Sequence, residues 1–138
     1  MEKKHFTLDE ANALIPVMET EIAELQKLNK EFQEKINVLN KQKSSDNKQI
    51  STDQPDIFLA ESKLEFIEMQ ARMHVNNIEQ YGVEIKDVDI GLVDFPAKLD
   101  GEDILLCWKH GEEEITYYHG PEDGFAGRKP IDGTDGAE

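Results

Sequence analysis

The sequence predicts an α+β protein: a long antiparallel helical hairpin of coiled-coil character, then a small three-stranded antiparallel sheet and an irregular C-terminal tail. Three observations carry this. All nine glycines stand at or after Gly82, so the first 81 residues lack a residue that is costly inside helices. Apolar residues in that first part recur at alternating spacings of three and four. From Gly91 onward the pattern changes to short extended runs separated by glycine turns. At 138 residues, one domain is expected. Its expected parts are helix one at 7–43, a loop at 44–54, helix two at 55–82, the sheet and C-terminal loop at 83–131, and a disordered tail at 132–138.

Helix one opens at Thr7, where Thr7-Leu8-Asp9-Glu10 fits a capping box: the Thr hydroxyl accepts an amide, and Glu10 reaches back to the Thr7 amide. One heptad position then collects Leu8, Ile15, Ile22, Asn29 and Ile36, and the other Ala11, Met18, Leu25, Phe32 and Leu39. Only Asn29 breaks this seam, which places it near Gln70 or Ala71 of the partner helix. Pro16 removes one helical hydrogen bond, so either the rod kinks there or a second helix starts at Pro16. The stretch SSDNKQISTDQ lacks periodicity and reads as the connecting loop. Asp53 or Asp56 then caps helix two, with Pro55 in its first turn. Its seam takes Ile57, Leu64, Ala71 and Ile78 with Ala60, Ile67, His74 and Tyr81, and Gly82 ends it. At 1.5 Å per residue the helices measure roughly 50 and 40 Å. The first turns of helix one therefore lack an antiparallel partner, and the C-terminal part is expected to cover Leu8, Ala11 and Leu14.

The strands follow. GLVDFPAKL, Asp100-Gly101 and EDILLCWK form a strong hairpin signal. A two-residue turn pairs Leu99 with Glu102, Phe95 with Leu106, and Asp94 with Cys107. A second turn centred on Gly111-Glu112 leads to a third strand, Glu114 to His119. That register puts Val93, Phe95, Ile104, Leu106, Trp108, Ile115, Tyr117 and His119 on one face, and Asp94, Cys107, Thr116 and Tyr118 on the other. Pro96 restricts the first strand to a sheet edge.

Charge separates the two parts again. The chain carries 15 basic and 30 acidic side chains, a net −15, of which residues 82–138 contribute −10. So negative a surface repels phosphate backbones and argues against nucleic-acid binding. No apolar run is long enough for a membrane span, and the N-terminus lacks the apolar stretch of a signal peptide. One cysteine excludes an intrachain disulfide framework and a cysteine-based zinc cage. A cytoplasmic location is expected.

The run GLVDFPAKLDGEDILLCWKHGEEEITYYHGPEDGFAGRKPI, with the opening FTLDEANALIP, resembles a bacterial family of uncharacterised proteins, domain of unknown function 2203. GLVDFP, the Cys-Trp pair, the Gly-Glu turn and GFAGRKP are its specific parts. The resemblance implies a fold and a compartment, and no reaction.

Several residues are candidates for chemistry. Asp94, inside an apolar strand, suits a metal ligand or a cation grip, although alternation on a sheet with one wet face accounts for it more simply. Cys107 could act as a nucleophile beside His110 or His119, but the expected register sends His119 to the opposite face, which favours a packed structural thiol. His110, Glu112, Glu113, Glu114 and His119 form a His/Glu set with no standard metal spacing, and three consecutive glutamates by a glycine read as a solvated turn. The metal candidates are accordingly Asp94, Glu114 and His119, for a divalent transition metal. His74, on the helical seam, reads as a satisfied core histidine. In GFAGRKP, Gly127, Arg128 and Lys129 are candidates for holding a phosphate or carboxylate. The competing reading, preferred, pins the tail by pairing Arg128 with surrounding acids.

No nucleophile–base–oxyanion set is recognisable, so the reading leans away from an enzyme and needs no cofactor. The leading function is a non-catalytic interaction or scaffold protein that self-associates through its helices. A homodimer is favoured because Phe58, Phe66, Met69 and Met73 lie off the helix-two seam, and a further protein partner is compatible with this. The alternative is a metal- or small-anion-binding module, with its site between the sheet and the first turns of helix one.

Overall fold

Thr7 begins the first helix through both halves of the expected capping box: its hydroxyl accepts the Glu10 amide at 3.1 Å, and Glu10 Oε1 accepts the Thr7 amide at 2.9 Å. The computed structural model describes residues 4–45 and 50–131. Helix α1 spans Leu8–Ala13 and α2 spans Ile15–Ser45, so the expected single helix at 7–43 is two helices. The break falls at Leu14, and Pro16 is the second residue of α2, where a missing N–H leaves no intrahelical bond unmade. Helix α3 spans Ile50–Glu79 rather than 55–82. Of the loop expected at 44–54, residues 44, 45 and 50–54 are helical and 46–49 lie outside the described residues, and Asp53 and Asp56 stand within α3 instead of capping it. Polar residues bear only small helical penalties, so lack of apolar periodicity did not prevent the helix from extending. The tail at 132–138 lies outside the described residues.

Helices α2 and α3 run antiparallel, with Glu21 against His74 and Asn77 near one end and Lys43 against Glu61 toward the other. His74 Nδ1 lies 2.6 Å from Glu21 Oε1, so the seam histidine is satisfied by a carboxylate across the interface. Ile15, Met18, Ile22, Leu25, Leu28 and Leu39 are buried on α2, and Leu64, Ile67 and Ile78 on α3. The seam drifts by one residue at Leu28. Asn29 is exposed and donates to Asp89 Oδ1 on the sheet side, so its expected place near Gln70 or Ala71 is corrected.

The sheet has five antiparallel strands in the order β1-β2-β3-β4-β5, not three. They are Glu84–Asp87, Leu92–Leu99, Glu102–Lys109, Tyr117–His119 and Lys129–Pro130. The two additional edge strands are short, four and two residues, with little alternation to mark them. The Asp100-Gly101 turn has φ of 52° and 82°, as a mirror-image two-residue turn requires, and the expected pairs Leu99–Glu102, Phe95–Leu106 and Asp94–Cys107 all form. Pro96 nevertheless sits in an interior strand. Its N and O point away from β3, toward a flank where β1 has already ended at the Asp94 pairing and where the Pro96 carbonyl accepts the Phe6 amide at 2.7 Å.

The third expected strand is slipped by one residue. Leu106 pairs with Tyr118, Cys107 with Tyr117 and Leu105 with His119. A one-residue slip exchanges the faces of every side chain. Tyr118 thus joins Val93, Phe95, Ile104, Leu106 and Trp108 on the helix-facing side, while Tyr117 and His119 join Asp94 and Cys107. On the helix-facing side the sheet packs over α1 and the start of α2, with Phe6 edge-on to Phe95 at 5.3 Å. Leu8, Ala11 and Leu14 pack here, in the part of the molecule where cover for them is expected. The Trp108 indole donates to the Glu112 carbonyl at 2.9 Å, closing the turn beneath it.

Two left-handed glycines separate strain from crowding. A Cβ at Gly101 (φ 82°) would meet nothing within 4 Å, whereas at Gly91 (φ 75°) it would lie 2.5 Å from His110 Cβ. Gly101→Ala should cost about 1–2 kcal/mol, the left-handed penalty alone. Gly91→Ala should cost about 1–3 kcal/mol beyond that, because His110 and the β1–β2 loop must shift. Urea denaturation midpoints of the two variants check this; equal losses would contradict the packing at Gly91.

Candidate functional site

The face of the sheet turned away from the helices carries the site, and the register explains why. Pro96 cannot donate, so Pro96–Leu105 is a non-hydrogen-bonded pair, and by alternation so is Asp94–Cys107, two residues along. Side chains of such pairs approach closely, with Cα atoms about 4.5 Å apart. His119 enters from β4, diagonal to Cys107 across the next ladder. Three adjacent strands thus each supply one polar side chain to one spot. Asp94, Cys107 and His119 are 1%, 1% and 3% exposed. Among the described residues they form a group of potential metal ligands, whose ligating atoms all lie within 4.8 Å of one another.

Hydrogen bonding fixes the imidazole. His119 Nδ1 lies 2.8 Å from the Gly120 carbonyl, which can only accept, so Nδ1 carries the proton. His119 Nε2 faces Asp94 Oδ2 at 3.0 Å. With Nδ1 already donating, a neutral ring would point a lone pair at a carboxylate oxygen. A cation must lie between the two atoms, whether a proton or a metal. The other carboxylate oxygen, Asp94 Oδ1, is buried without a hydrogen-bond partner.

The electrostatics follow from enclosure. Burial raises the Asp94 carboxyl above the ordinary range, opposed by the charge and hydrogen bond of His119 and, more weakly, by Lys86. Burial, with the nearby Asp94 charge, pushes the Cys107 thiol up to about 12. A thiol held so firmly protonated is no free nucleophile, but a bound metal deprotonates a coordinating thiol outright.

A cavity of about 350 Å³ adjoins the three side chains. Leu92, Pro121 and Phe125 give it apolar lining, and Lys86, Asp87 and Glu122 give it charged lining. Pro121, Glu122 and Phe125 belong to the segment 120–128, which contains the short 3-10 turn Phe125–Gly127. Arg128 holds that segment down. Its Nη2 donates to Glu112 Oε2 at 2.9 Å, and its guanidinium lies over Tyr117 at 4.0 Å and Phe125 at 4.8 Å from the ring centres.

Of the residues singled out in the sequence, Asp94 and His119 come together, with Cys107 as the third member. The wet-face reading of Asp94 and the placing of His119 opposite Cys107 are both corrected by the register of β4. Glu114 is exposed in the 110–116 connection and lies outside the group, as does Glu113. His110 lies at 5.9 Å from the Trp108 ring, and Glu112 is taken by Arg128. The anion candidates do not converge: Gly127 N–H donates to the Gly124 carbonyl, Lys129 is exposed on β5, and Arg128 is engaged by Glu112. The site also lies on the far face of the sheet, not between the sheet and helix one. Sequence reasoning missed Cys107 as a ligand, although the Asp-Gly turn already set it opposite Asp94.

Arg128→Ala should therefore lower stability with no ligand present. The side chain is 11% exposed and stacked on two rings, so a loss of about 2–3 kcal/mol is expected, between the values for exposed and fully buried pairs. Phosphate and small carboxylates should shift the melting temperature of neither wild type nor variant. Thermal shift against an anion panel checks both; anion protection lost on substitution would reinstate an anion site.

Among the described residues no helix is long and apolar enough to cross a membrane. The chain has no match among curated proteins and none among solved structures. A family model described as an uncharacterised conserved protein matches residues 4–131, which takes in both helical and sheet parts and every residue of the buried cluster. The chain belongs to that family, the uncharacterised conserved proteins of domain of unknown function 2203.

Proposed function

We propose that this protein binds a divalent transition metal of the zinc class through Asp94, Cys107 and His119. The observation that carries the reading is the buried Asp94 carboxylate, with Oδ1 unpartnered and Oδ2 facing an imidazole nitrogen whose ring proton is committed elsewhere. Natural interiors rarely leave such an atom unsatisfied. A mixed sulfur, nitrogen and oxygen set suits zinc and its neighbours better than magnesium or calcium, which prefer oxygen alone. The Gly120 carbonyl on Nδ1 is the outer-shell contact that orients a histidine ligand.

Three protein ligands leave a fourth tetrahedral position, and the adjoining cavity is where a water or small ligand would take it. A bound metal would supply Lewis acidity there. The chain's own contribution is to hold the three ligands, buried, on three paired strands. Asp87 and Glu122 in the cavity lining favour entry of a cation. The earlier reading of a self-associating interaction protein rests on another surface, the exposed face of α3, and is compatible with a metal in the sheet.

Chelated protein titrated with cobalt should take up one ion per chain and develop a thiolate-to-metal charge-transfer band. Cys107→Ser should abolish the band. His119→Ala and Asp94→Ala should weaken binding by more than the roughly 10–100-fold that outer-shell changes cost. Zinc at about a hundred times its dissociation constant should add about 2.7 kcal/mol to stability. Glu114→Ala should change none of these. Absence of stoichiometric uptake, or uptake indifferent to Cys107→Ser, would leave a proton as the cation between Asp94 and His119 and end the proposal.

A further inference from the structure

The face of α3 opposite α2 is as regular as the buried one. Leu59, Ser62, Phe66, Met69, Met73 and Asn76 follow at spacings of three, four, three, four and three. At 100° per residue this stripe is centred some 160° from the buried Leu64, Ile67 and Ile78. Its large members are well exposed: Leu59 54%, Phe66 59%, Met69 61% and Met73 52%. Phe58, at 71%, extends it toward the helix start. A second a/d seam with no occupant among the described residues is what a helix presents to another helix.

The flanking charges say which helix fits. Taking Leu59, Phe66 and Met73 as a positions and Ser62, Met69 and Asn76 as d, the g positions are Phe58, Glu65 and Arg72, and the e positions Lys63, Gln70 and Asn77. A parallel copy would set g against e, placing Glu65 by Gln70 and Arg72 by Asn77, with no charge pair formed. An antiparallel copy sets a against d and g against g. Phe66 then meets Met69 of the partner subunit, and Glu65 faces Arg72 of the partner subunit, twice over by symmetry. Among the described residues, neither Glu65 nor Arg72 has an ion-pair partner within its own chain, and both are exposed.

We infer that the protein is a homodimer joined through this face of α3, two copies antiparallel about a twofold axis level with Ile67 and Glu68, with reciprocal Glu65–Arg72 pairs. The isologous arrangement makes the patch its own complement, so a second copy satisfies both the apolar stripe and the charges beside it. The inference is independent of the metal reading, since the sheet face lies elsewhere in the molecule.

Sedimentation equilibrium of the full chain should give a dimer at tens of micromolar. Glu65→Arg and Arg72→Glu should each weaken it by roughly tenfold or more, since each removes two pairs and sets like charges together. The double exchange Glu65→Arg with Arg72→Glu should restore near wild-type affinity. Phe66→Ser should yield monomer with an unchanged circular dichroism spectrum, because the side chain is exposed in the single chain. Monomer in the wild type, or a double exchange no better than the singles, would overturn the inference.

Discussion

The two-residue turn at Asp100-Gly101 is the constraint on which the remainder depends. Both residues adopt positive φ, and with a loop this short the pairing of β2 with β3 has only one register. That register sends Val93, Phe95, Ala97, Ile104, Leu106 and Trp108 to one side, a set apolar enough to close over α1 and α2. The same alternation leaves Leu92, Asp94, Pro96, Leu105 and Cys107 on the other. A sheet with apolar residues on both faces must be covered on both. Helices cover the first face; the segment 120–128, with Pro121 and Phe125 lining the cavity, covers the second around Asp94, Cys107 and His119.

Covering the second face is what makes Asp94 unusual. A carboxylate on a wet face needs no explanation, but one at 1% exposure has lost its hydration and has only His119 and the Cys107 thiol to interact with, its Oδ1 without a hydrogen-bond partner. Buried ion pairs seldom stabilise more than apolar residues of similar size. Stability alone therefore gives little reason to place an acid, a thiol and an imidazole together in this interior. Arg128 adds to this, since its pairing with Glu112 and its stacking on Tyr117 and Phe125 tie down the segment that lines the cavity beside that polar spot. The enclosure is built at some length for a group that gains little from it unless a cation is held there.

Much of the fold was legible because it follows local rules. The Thr7 capping box, the helical character of the first part, and the Asp-Gly hairpin with its pairs all depend on residues close in sequence. What was not legible depended on distant partners. Asn29 leaves the seam because Asp89 stands beside it, and β1 and β5 are too short to alternate. Half of the site was legible too: Asp94 opposite Cys107 follows from the hairpin alone. A tight second turn would put His119 on the opposite face, and the observed register differs from that by one residue. Nothing in GEEEIT marks it as a longer connection, since its conformation is set from outside.

That outside influence runs back to the N-terminus. Helix α1 stops at Ala13, with Leu14 as its C-cap, and Asn12 stands in its last turn. Asn12 Oδ1 accepts the Ile115 amide at 2.8 Å, a bond across 103 residues of sequence. An amide committed to Asn12 is not available to a ladder with β3, so the strand cannot begin at Glu114. It begins at Tyr117 instead, while Ile115 drops into the core and the Glu112 carbonyl meets the Trp108 indole. Seven residues, 110–116, then separate β3 from β4 where a tight turn would use two. The odd change in spacing inverts the faces of β4. His119 reaches Asp94 and Cys107 for this reason, so the polar cluster in the sheet depends on a contact made by the first helix.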